Sequence, residues 1–532
     1  MAAMSEEATV ASGRHACLTP YLDVHPYGIG DLLHEQARSR PHHPAVIDGA
    51  HRFTYRQLDE RVNRLATVLR DHGVERGDRI LWLGQNSFRV MEVLLASART
   101  GAIVCPVNWR ASREELSWTV EDFDPKIIFW QDAEIGDTSR ETRMSWQEGR
   151  FWIQHDSGDP GDLHSYEELI ARADPLTVFE PVEISVPLLA IYTAAFSGKP
   201  GAALLSHESL LIMSMLAMQG QALTENSGHL VSGPMFHVGV LMGTLGCFMA
   251  GGRNAFVARV RAEELLEMIE REKLTHGYIP QPTSEQMREL NRDGRYDISS
   301  MFERSDLADW TSTTQMPKHA PQQQRPGGYG QTEMGGLVVL GWMGGAGAGR
   351  PAPYLQVKIG DEQGNELPDG ETGEIFARGP LVMCGYWNRP EENARRVVNG
   401  WHRSNDLGKR LDDGSIVFVG PKTTMIKTGV ENVYPAEVEA CIRTMEGVSD
   451  VCIIGVPDPT WDQNVKAIVI RAEGHDDLTA EHIIDHCRAR LASYKKPKIV
   501  TFVDTLPRTP IGFVDRAAVD AAYGGGGYPK YG

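Results

Sequence analysis

Cysteine is scarce in this chain, with seven among 532 residues: Cys17, Cys105, Cys247, Cys384, Cys441, Cys452 and Cys487. The number is odd, the spacing is wide and no Cys-x-x-Cys pair occurs. That pattern excludes a disulfide framework and a cysteine-based metal site, so reduced thiols and a cytoplasmic location are expected. Basic residues are outnumbered, 53 Lys and Arg against 71 Asp and Glu, for a formal net charge of -18. A chain of that sign is repelled by phosphate backbones and anionic bilayers, which excludes nonspecific binding of nucleic acid or charged membranes. Long hydrophobic runs are missing too. The most apolar stretches, 210–218 and 238–250, are interrupted by polar residues or glycine and fall short of the roughly 20 residues that span a bilayer. Residues 1–19 lack a long apolar core and carry Glu6, Glu7 and His15, which is not the pattern of a secretory signal.

What is present is alternation. The length exceeds what one hydrophobic core fills, so at least two domains are expected. Thr54 is placed to cap a helix whose Leu58, Val62, Leu65 and Leu69 share one face and which ends at Gly73. A short apolar strand at 79–83, a helix at 89–99 and a strand at 103–107 follow. This rhythm predicts an α/β unit with a mixed or parallel sheet flanked by helices. The polar, aperiodic stretch 131–160 reads as a surface loop. Past a boundary near 420–424 the rhythm changes. Pro435 opens a helix bearing Val438, Ile442 and Met445 and stopped by Gly447. Strands at 451–456 and 466–472, a helix with Ile483, Ile484, Cys487 and Leu491, and a strand at 498–504 make a compact α+β unit. The expected division is an arm at 1–20, a large domain at 21–420, a hinge at 421–424, a small lid at 425–520 and a glycine-rich tail at 521–532.

Several short segments follow one another in a fixed order. They are Gly328-Tyr329-Gly330-Gln331-Thr332-Glu333, Gly373-Glu374, Gly385-Tyr386-Trp387-Asn388, Gly400-Trp401, Asp406-Leu407-Gly408, Met425-Ile426-Lys427 and Glu431-Asn432-Val433-Tyr434-Pro435. Any one is a weak signal, but the series resembles the adenylate-forming (ANL) acyl-CoA synthetase superfamily over nearly the whole chain. The resemblance implies a large domain binding adenylate and acyl group, under a small mobile lid. It also implies roles. Gly328, Tyr329, Gly330, Gln331 and Thr332 would hold the nucleotide, with Tyr329 against adenine. Asp406 would accept hydrogen bonds from the ribose hydroxyls. Thr332 would meet the α-phosphate, and Glu333 would hold a metal ion where ATP is used. Phe236, His237, Gly277 and Tyr278 would border the acyl pocket. Lys427, Gly429 and Val430 would line a tunnel for the CoA thiol, and Thr423 would be the hinge. His237 reads equally as a catalytic group beside the reacting carbonyl and as a structural pocket histidine.

The departures from the pattern are concentrated. The phosphate loop of the family is represented by Thr193, Ala194, Ala195, Phe196, Ser197, Gly198 and Lys199, with fewer hydroxyl and glycine positions than usual, and Gly201 stands where a lysine is expected. Phe513 occupies the position of the last lysine, which in the family bridges carboxylate and phosphate during adenylation. Val430 replaces a glycine. The first two losses bear on making an acyl-adenylate from ATP, and they count against ATP and Mg2+ as cosubstrates. The residues that hold a finished acyl-AMP remain. Three functions are therefore open. The chain is a ligase that passes a preformed acyl group to CoA, a complete ATP-dependent synthetase in which Lys199, Lys422 or Lys427 substitutes, or a silent acyl-AMP binder. The first resembles the non-adenylating ligases of platensimycin- and platencin-type diterpenoid biosynthesis. It implies secondary metabolism, a bulky terpenoid acyl group and a separate adenylating ligase as supplier, and leaves room for a homodimer.

Overall fold

The computed structural model describes residues 26–526 except 147, 157–163, 177–180, 194–199, 302–313, 326–327, 345–347, 423–424, 430 and 509–513. Among these the strands form five sheets. The largest runs, in spatial order, Gly385–Tyr386, Gly201–Ser206, Pro187–Thr193, Ile103–Pro106, Arg79–Leu83, Ile127–Trp130, Phe151–Gln154 and His164–Ser165. Its centre is parallel, and the Pro187–Thr193 and Gly201–Ser206 pair is an antiparallel hairpin in which Thr193 faces Gly201. A second sheet joins Pro44–Asp48, Arg253–Phe256, Gly228–Val231 and His276–Tyr278 in parallel, with an antiparallel strand at each edge.

The local reasons match the sequence. Thr54 accepts from Gln57 N at 3.3 Å while the Gln57 side chain accepts from Thr54 N at 2.9 Å, a reciprocal cap that starts helix Tyr55–Asp71. Leu58, Val62, Leu65 and Leu69 are buried along one face, and Gly73 takes the left-handed φ of +74° just past the end. One continuous core joins Ile80, Val104 and Ile191 of the first sheet to Leu210, Met213, Leu245 and Phe248 of helices His207–Gly220 and Val238–Met249. Each such side chain contributes about 1.5–3 kcal/mol on burial.

The stretch expected to be a loop is not one. Helix Gly136–Trp146 and strand Phe151–Gln154 lie within 131–160, and the strand extends the sheet by pairing Trp152 with Ile128. The helix turns small polar groups inward, with Ser139 and Thr142 fully buried, so no apolar period marks it.

The chain leaves the large domain along strand Ile416–Pro421 and enters the lid sheet at Ile426–Thr428; Thr423, the expected hinge, lies outside the described residues. Strands Val448–Asp458 and Asp462–Arg471 form the lid's long hairpin, and Ile499–Phe502 pairs parallel to it. Alternation sends Val451 and Ile453 to one face, against helices Pro435–Arg443 and Ala480–Arg490, and Cys452, Ile454 and Val456 to the other. That second face is covered by helix Arg516–Ala522, capped by Asp515 and anchored by the buried Val519. The helix crosses the expected tail boundary at 521, and Gly526 N still donates to Gly455 O at 3.1 Å. No helix among the described residues is long and apolar enough to cross a membrane.

Candidate active site

A cavity of about 680 Å3 lies between the large domain and the lid, walled by Thr193, His237, Tyr329, Glu333, Asp406 and Lys427 among others. The segment around Tyr329 is shaped by close backbone approach. Gly328–Tyr329 pairs with Val339–Leu340, and a short turn at Thr332–Met334 ends at Gly335 with φ of +68°. A Cβ on Gly330 would stand 1.9 Å from the Gly336 carbonyl oxygen, so only glycine fits there.

Along one wall, expected to face the nucleotide, the Tyr329 hydroxyl donates to Asp406 Oδ2 at 2.7 Å and Gln331 Nε2 donates to the same oxygen at 3.0 Å. The Tyr329 ring stacks on Phe418 at 4.9 Å and 16°. Burial pushes the Asp406 carboxyl up to about 6, against the pull of the Tyr329 and Gln331 hydrogen bonds. The structure thus gathers Tyr329, Gln331 and Asp406 into one hydrogen-bonded unit at the cavity wall.

Along the wall expected to face the phosphates, Thr193 Oγ1 donates to Glu333 Oε1 at 2.7 Å and the Tyr386 hydroxyl donates to the same oxygen at 2.8 Å. Gly201, opposite Thr193 in the hairpin, is covered by Tyr386: a Cβ there would meet ring carbon Cδ1 at 2.7 Å. The rest of the phosphate loop, Ser197, Gly198 and Lys199, lies outside the described residues, as do Val430 and Phe513. Of the lysines considered as substitutes, Lys422 is committed to Glu374 at 3.2 Å, beside Arg403, while Lys427 lines the cavity. Among the described residues no group of three or more His, Cys, Asp or Glu could hold a metal by itself. A magnesium ion needs less than that when substrate phosphates supply further oxygens, and the Glu333 carboxylate at the wall fits that role.

A second cavity of about 320 Å3 runs between the domains beside the first, and both are walled by Tyr192, Thr193, His237 and Tyr494. At this junction His237 Nε2 is 3.3 Å from Glu431 Oε2, near enough for an ion pair with the protonated ring though not aligned as a hydrogen bond. Arg110 binds the other Glu431 oxygen at 3.0 Å. Burial raises the Glu431 carboxyl, and His237 with Arg110 more than reverses this, leaving it below the usual carboxylate range. Phe236 lines the second cavity. Gly277 and Tyr278 line neither; they sit on a neighbouring strand, Gly277 against Leu230 and Tyr278 against Gly233. Burial, then the Glu431 charge, pushes the Tyr278 phenol up to about 12, so it stands near the same cluster.

The lid's side of the site is fixed locally. Gly429 N donates to Trp461 O at 2.7 Å, and Lys427 N donates to Gln463 Oε1 at 3.1 Å. Lys495 Nζ is 2.8 Å from both Glu437 of the lid and Glu115 of the large domain. Sequence reasoning gave no role to Tyr386 or Glu431, although both sit inside the ordered motifs. Arg110, Tyr494 and Lys495 had no signal of their own, because each matters only once the two domains meet, and Phe418 had none because its stack on Tyr329 joins distant parts of the large domain.

The sequence pattern described as AMP-binding enzyme matches residues 33–387, and that of the AMP-binding enzyme C-terminal domain matches 437–512. An indoleacetate–CoA ligase from Aromatoleum aromaticum is 30% identical over 501 residues, covering 91% of this chain and 96% of its own length. A feruloyl-CoA synthase from an Amycolatopsis species is 32% identical over 511 residues, covering 93% and 99%. The solved o-succinylbenzoate CoA synthetase of Bacillus subtilis shares the fold, with a TM-score of 0.74 at 23% identity over 91% of this chain and 97% of that one.

Proposed function

We propose that this chain, which belongs to the AMP-binding enzyme family and is an acyl-CoA ligase of it, takes a preformed acyl-adenylate and transfers the acyl group to CoA, making little adenylate of its own. The observation that carries this reading is an asymmetry in one cavity. The ribose-side unit of Asp406, Tyr329 and Gln331 is intact, and a second cavity reaches His237 from between the domains. At position 201 there is no side chain, and an uncharged ring lies over it. Phe513 adds a second lost cation in the sequence. Losing a positioned electrostatic stabiliser costs on the order of 3–4 kcal/mol of transition-state stabilisation.

In the proposed reaction Asp406 accepts the ribose hydroxyls, and the acyl carbonyl carbon lies at the junction near His237. The CoA sulfur, entering along the second cavity as thiolate, bonds to that carbon. The carbon–oxygen bond of the mixed anhydride breaks, and AMP leaves with the electron pair. The thiol proton has already passed to water in forming the thiolate. Glu431 and Arg110 hold the His237 ring at the junction, so the lid contributes to the step by being docked. A magnesium ion, when ATP is present, neutralises phosphate charge, and Glu333 would hold it.

The acyl group is proposed to be a bulky terpenoid acid, on the sequence resemblance; the relatives' names add indoleacetate and ferulate as acids to try. A separate adenylating ligase would be the supplier. The second reading, a complete ATP-dependent synthetase, is favoured by the end-to-end match to enzymes named for ligation of free acids. The test has two arms, read by mass spectrometry: synthetic terpenoid, feruloyl and indoleacetyl adenylates with CoA and no ATP, and the free acids with ATP, Mg2+ and CoA. Acyl-CoA from the adenylates alone is expected. Comparable product from acid and ATP refutes the reading in favour of the complete synthetase, and no product in either arm points to a silent binder.

A further inference from the structure

Position 201 lies in an extended strand, where the backbone makes no demand for glycine. The demand comes from Tyr386. Beyond Cδ1 at 2.7 Å, a Cβ at 201 would find Cε1 at 3.1 Å and Cγ at 3.2 Å, the body of a ring and not the end of a flexible chain. The ring cannot easily step aside, because its backbone is clamped. Tyr386 N donates to Asn393 Oδ1 at 2.7 Å, and Asn393 Nδ2 donates back to Tyr386 O at 2.9 Å. Strand Gly385–Tyr386 is also paired to Gly201–Ser206, with Tyr386 opposite Ala203.

Three residues after Asn393, on the same face of helix Pro390–Arg396, stands Arg396. It is 7% exposed, donates to Glu392 Oε1 at 2.8 Å, and holds its guanidinium 6.0 Å from the centre of the Tyr386 ring. Its charge is felt by Tyr386 and by Glu333. Burial raises the Tyr386 phenol far above its ordinary value, and the Glu333 charge adds to this, so the hydroxyl remains a proton donor.

We infer that Tyr386, braced by Asn393 and Arg396, is a positioning residue: its ring takes the space of any side chain at position 201, and its hydroxyl sets the Glu333 carboxylate at the wall of the nucleotide cavity. This rests on the acyl-adenylate reading above for what the cavity holds. The glycine and the tyrosine pack as one unit, and a side chain at position 201 requires the ring to move.

Two measurements on the full-length protein test this. The first is a thermal-unfolding cycle. Gly201→Ala lowers Tm in the wild-type background and has little or no effect, or raises Tm, when Tyr386→Ala has removed the ring. An equal shift in both backgrounds overturns the claim on space. The second is turnover of feruloyl- and indoleacetyl-adenylate with CoA in the presence of Mg2+, the ion that Glu333 would hold beside the adenylate phosphate. Tyr386→Phe deletes only the hydroxyl and is expected to lower kcat about tenfold with little change in KM, the loss of one hydrogen bond to a charged group. Arg396→Lys is expected to stay near wild type, and Arg396→Gln to fall and to add little to Tyr386→Phe. Wild-type kcat in Tyr386→Phe overturns the positioning claim. If the wild-type enzyme instead makes its own adenylate from ATP, the half-reaction reading fails while the unfolding cycle still decides whether the tyrosine fills position 201.

Discussion

Lys495 joins a carboxylate of the lid, Glu437, to one of the large domain, Glu115. Its side chain is 8% exposed, and those of Glu437 and Glu115 are 7% and 19% exposed. Burial works against the ammonium, and Glu437 with Glu115 overcomes it, holding the group well above the ordinary lysine range. The two partners differ in kind. Glu437 shares the lid with Lys495, so that pair survives any movement of the lid as a body. Glu115 caps helix Arg113–Phe123 of the large domain, so its contact exists only while the lid is docked. Glu115→Gln keeps the shape and an acceptor oxygen but removes the charge, a loss of about 1–2 kcal/mol from docking. Turnover of a supplied acyl-adenylate should then fall about tenfold. Lys495→Met leaves Glu437 and Glu115 buried without their cation, which costs about 3–5 kcal/mol and should lower Tm as well. The assay is acyl-CoA formation from a supplied adenylate, with thermal unfolding alongside. Because the contact is largely buried, 0.5 M salt should change the result little. A Glu115→Gln enzyme with wild-type turnover would falsify the argument that this docked lid carries the transfer step.

Asp406 gives a pH prediction. Burial raises its carboxyl to about 6, so its stabilising contribution is fully present below the unfolded value and is lost as pH rises through about 6, a change of order 3 kcal/mol. Affinity for the ribose runs the opposite way, since the ionised carboxylate is the better acceptor. Calorimetry should show AMP binding weakening as pH drops below about 6, and Asp406→Asn should flatten that slope; a slope unchanged in the variant rejects the assignment. Glu431→Gln should slow acyl transfer roughly three- to tenfold by releasing His237 and Arg110, with AMP affinity unchanged; a parallel loss of AMP affinity would place Glu431 on the nucleotide side instead. Gly330→Ala should lower stability by about 1–3 kcal/mol in thermal unfolding, because its Cβ has no room beside Gly336.

Much of this was legible in the sequence because it depends on local pattern. The Thr54 cap, the apolar faces, the proline at the start of helix Pro435–Arg443 and the order of the motifs all act over a few residues. Tyr329, Glu333 and Asp406 were assigned through that order, and the cavity brings them together. What escaped depends on tertiary contact. Helix Gly136–Trp146 was hidden because Ser139 and Thr142, not leucines, face inward. The extent of helix Arg516–Ala522 was hidden because the glycines after it suggested a tail, while its stability comes from Val519 on the far face of the lid sheet. Glycine at 201 read as the absence of a lysine. Only the structure shows what stands in the space.

The one described departure from the family pattern, Gly201, lies under Tyr386 on the Glu333 side of the first cavity. The two cavities meet at Tyr192, Thr193, His237 and Tyr494, and in the proposed transfer the acyl group crosses there. Three of these residues come from the large domain and one from the lid, so the junction is complete only when the domains are docked. In the docked arrangement Lys427 and Glu431 face the site, and Glu431 is the group that answers His237. Lid position and the setting of His237 are therefore one variable: moving the lid removes the carboxylate. A chain under selection for the transfer step alone would keep this junction and the ribose carboxylate while tolerating drift at position 201. In the present packing the Tyr386 ring lies over position 201, so restoring a side chain there displaces the ring before it returns any rate.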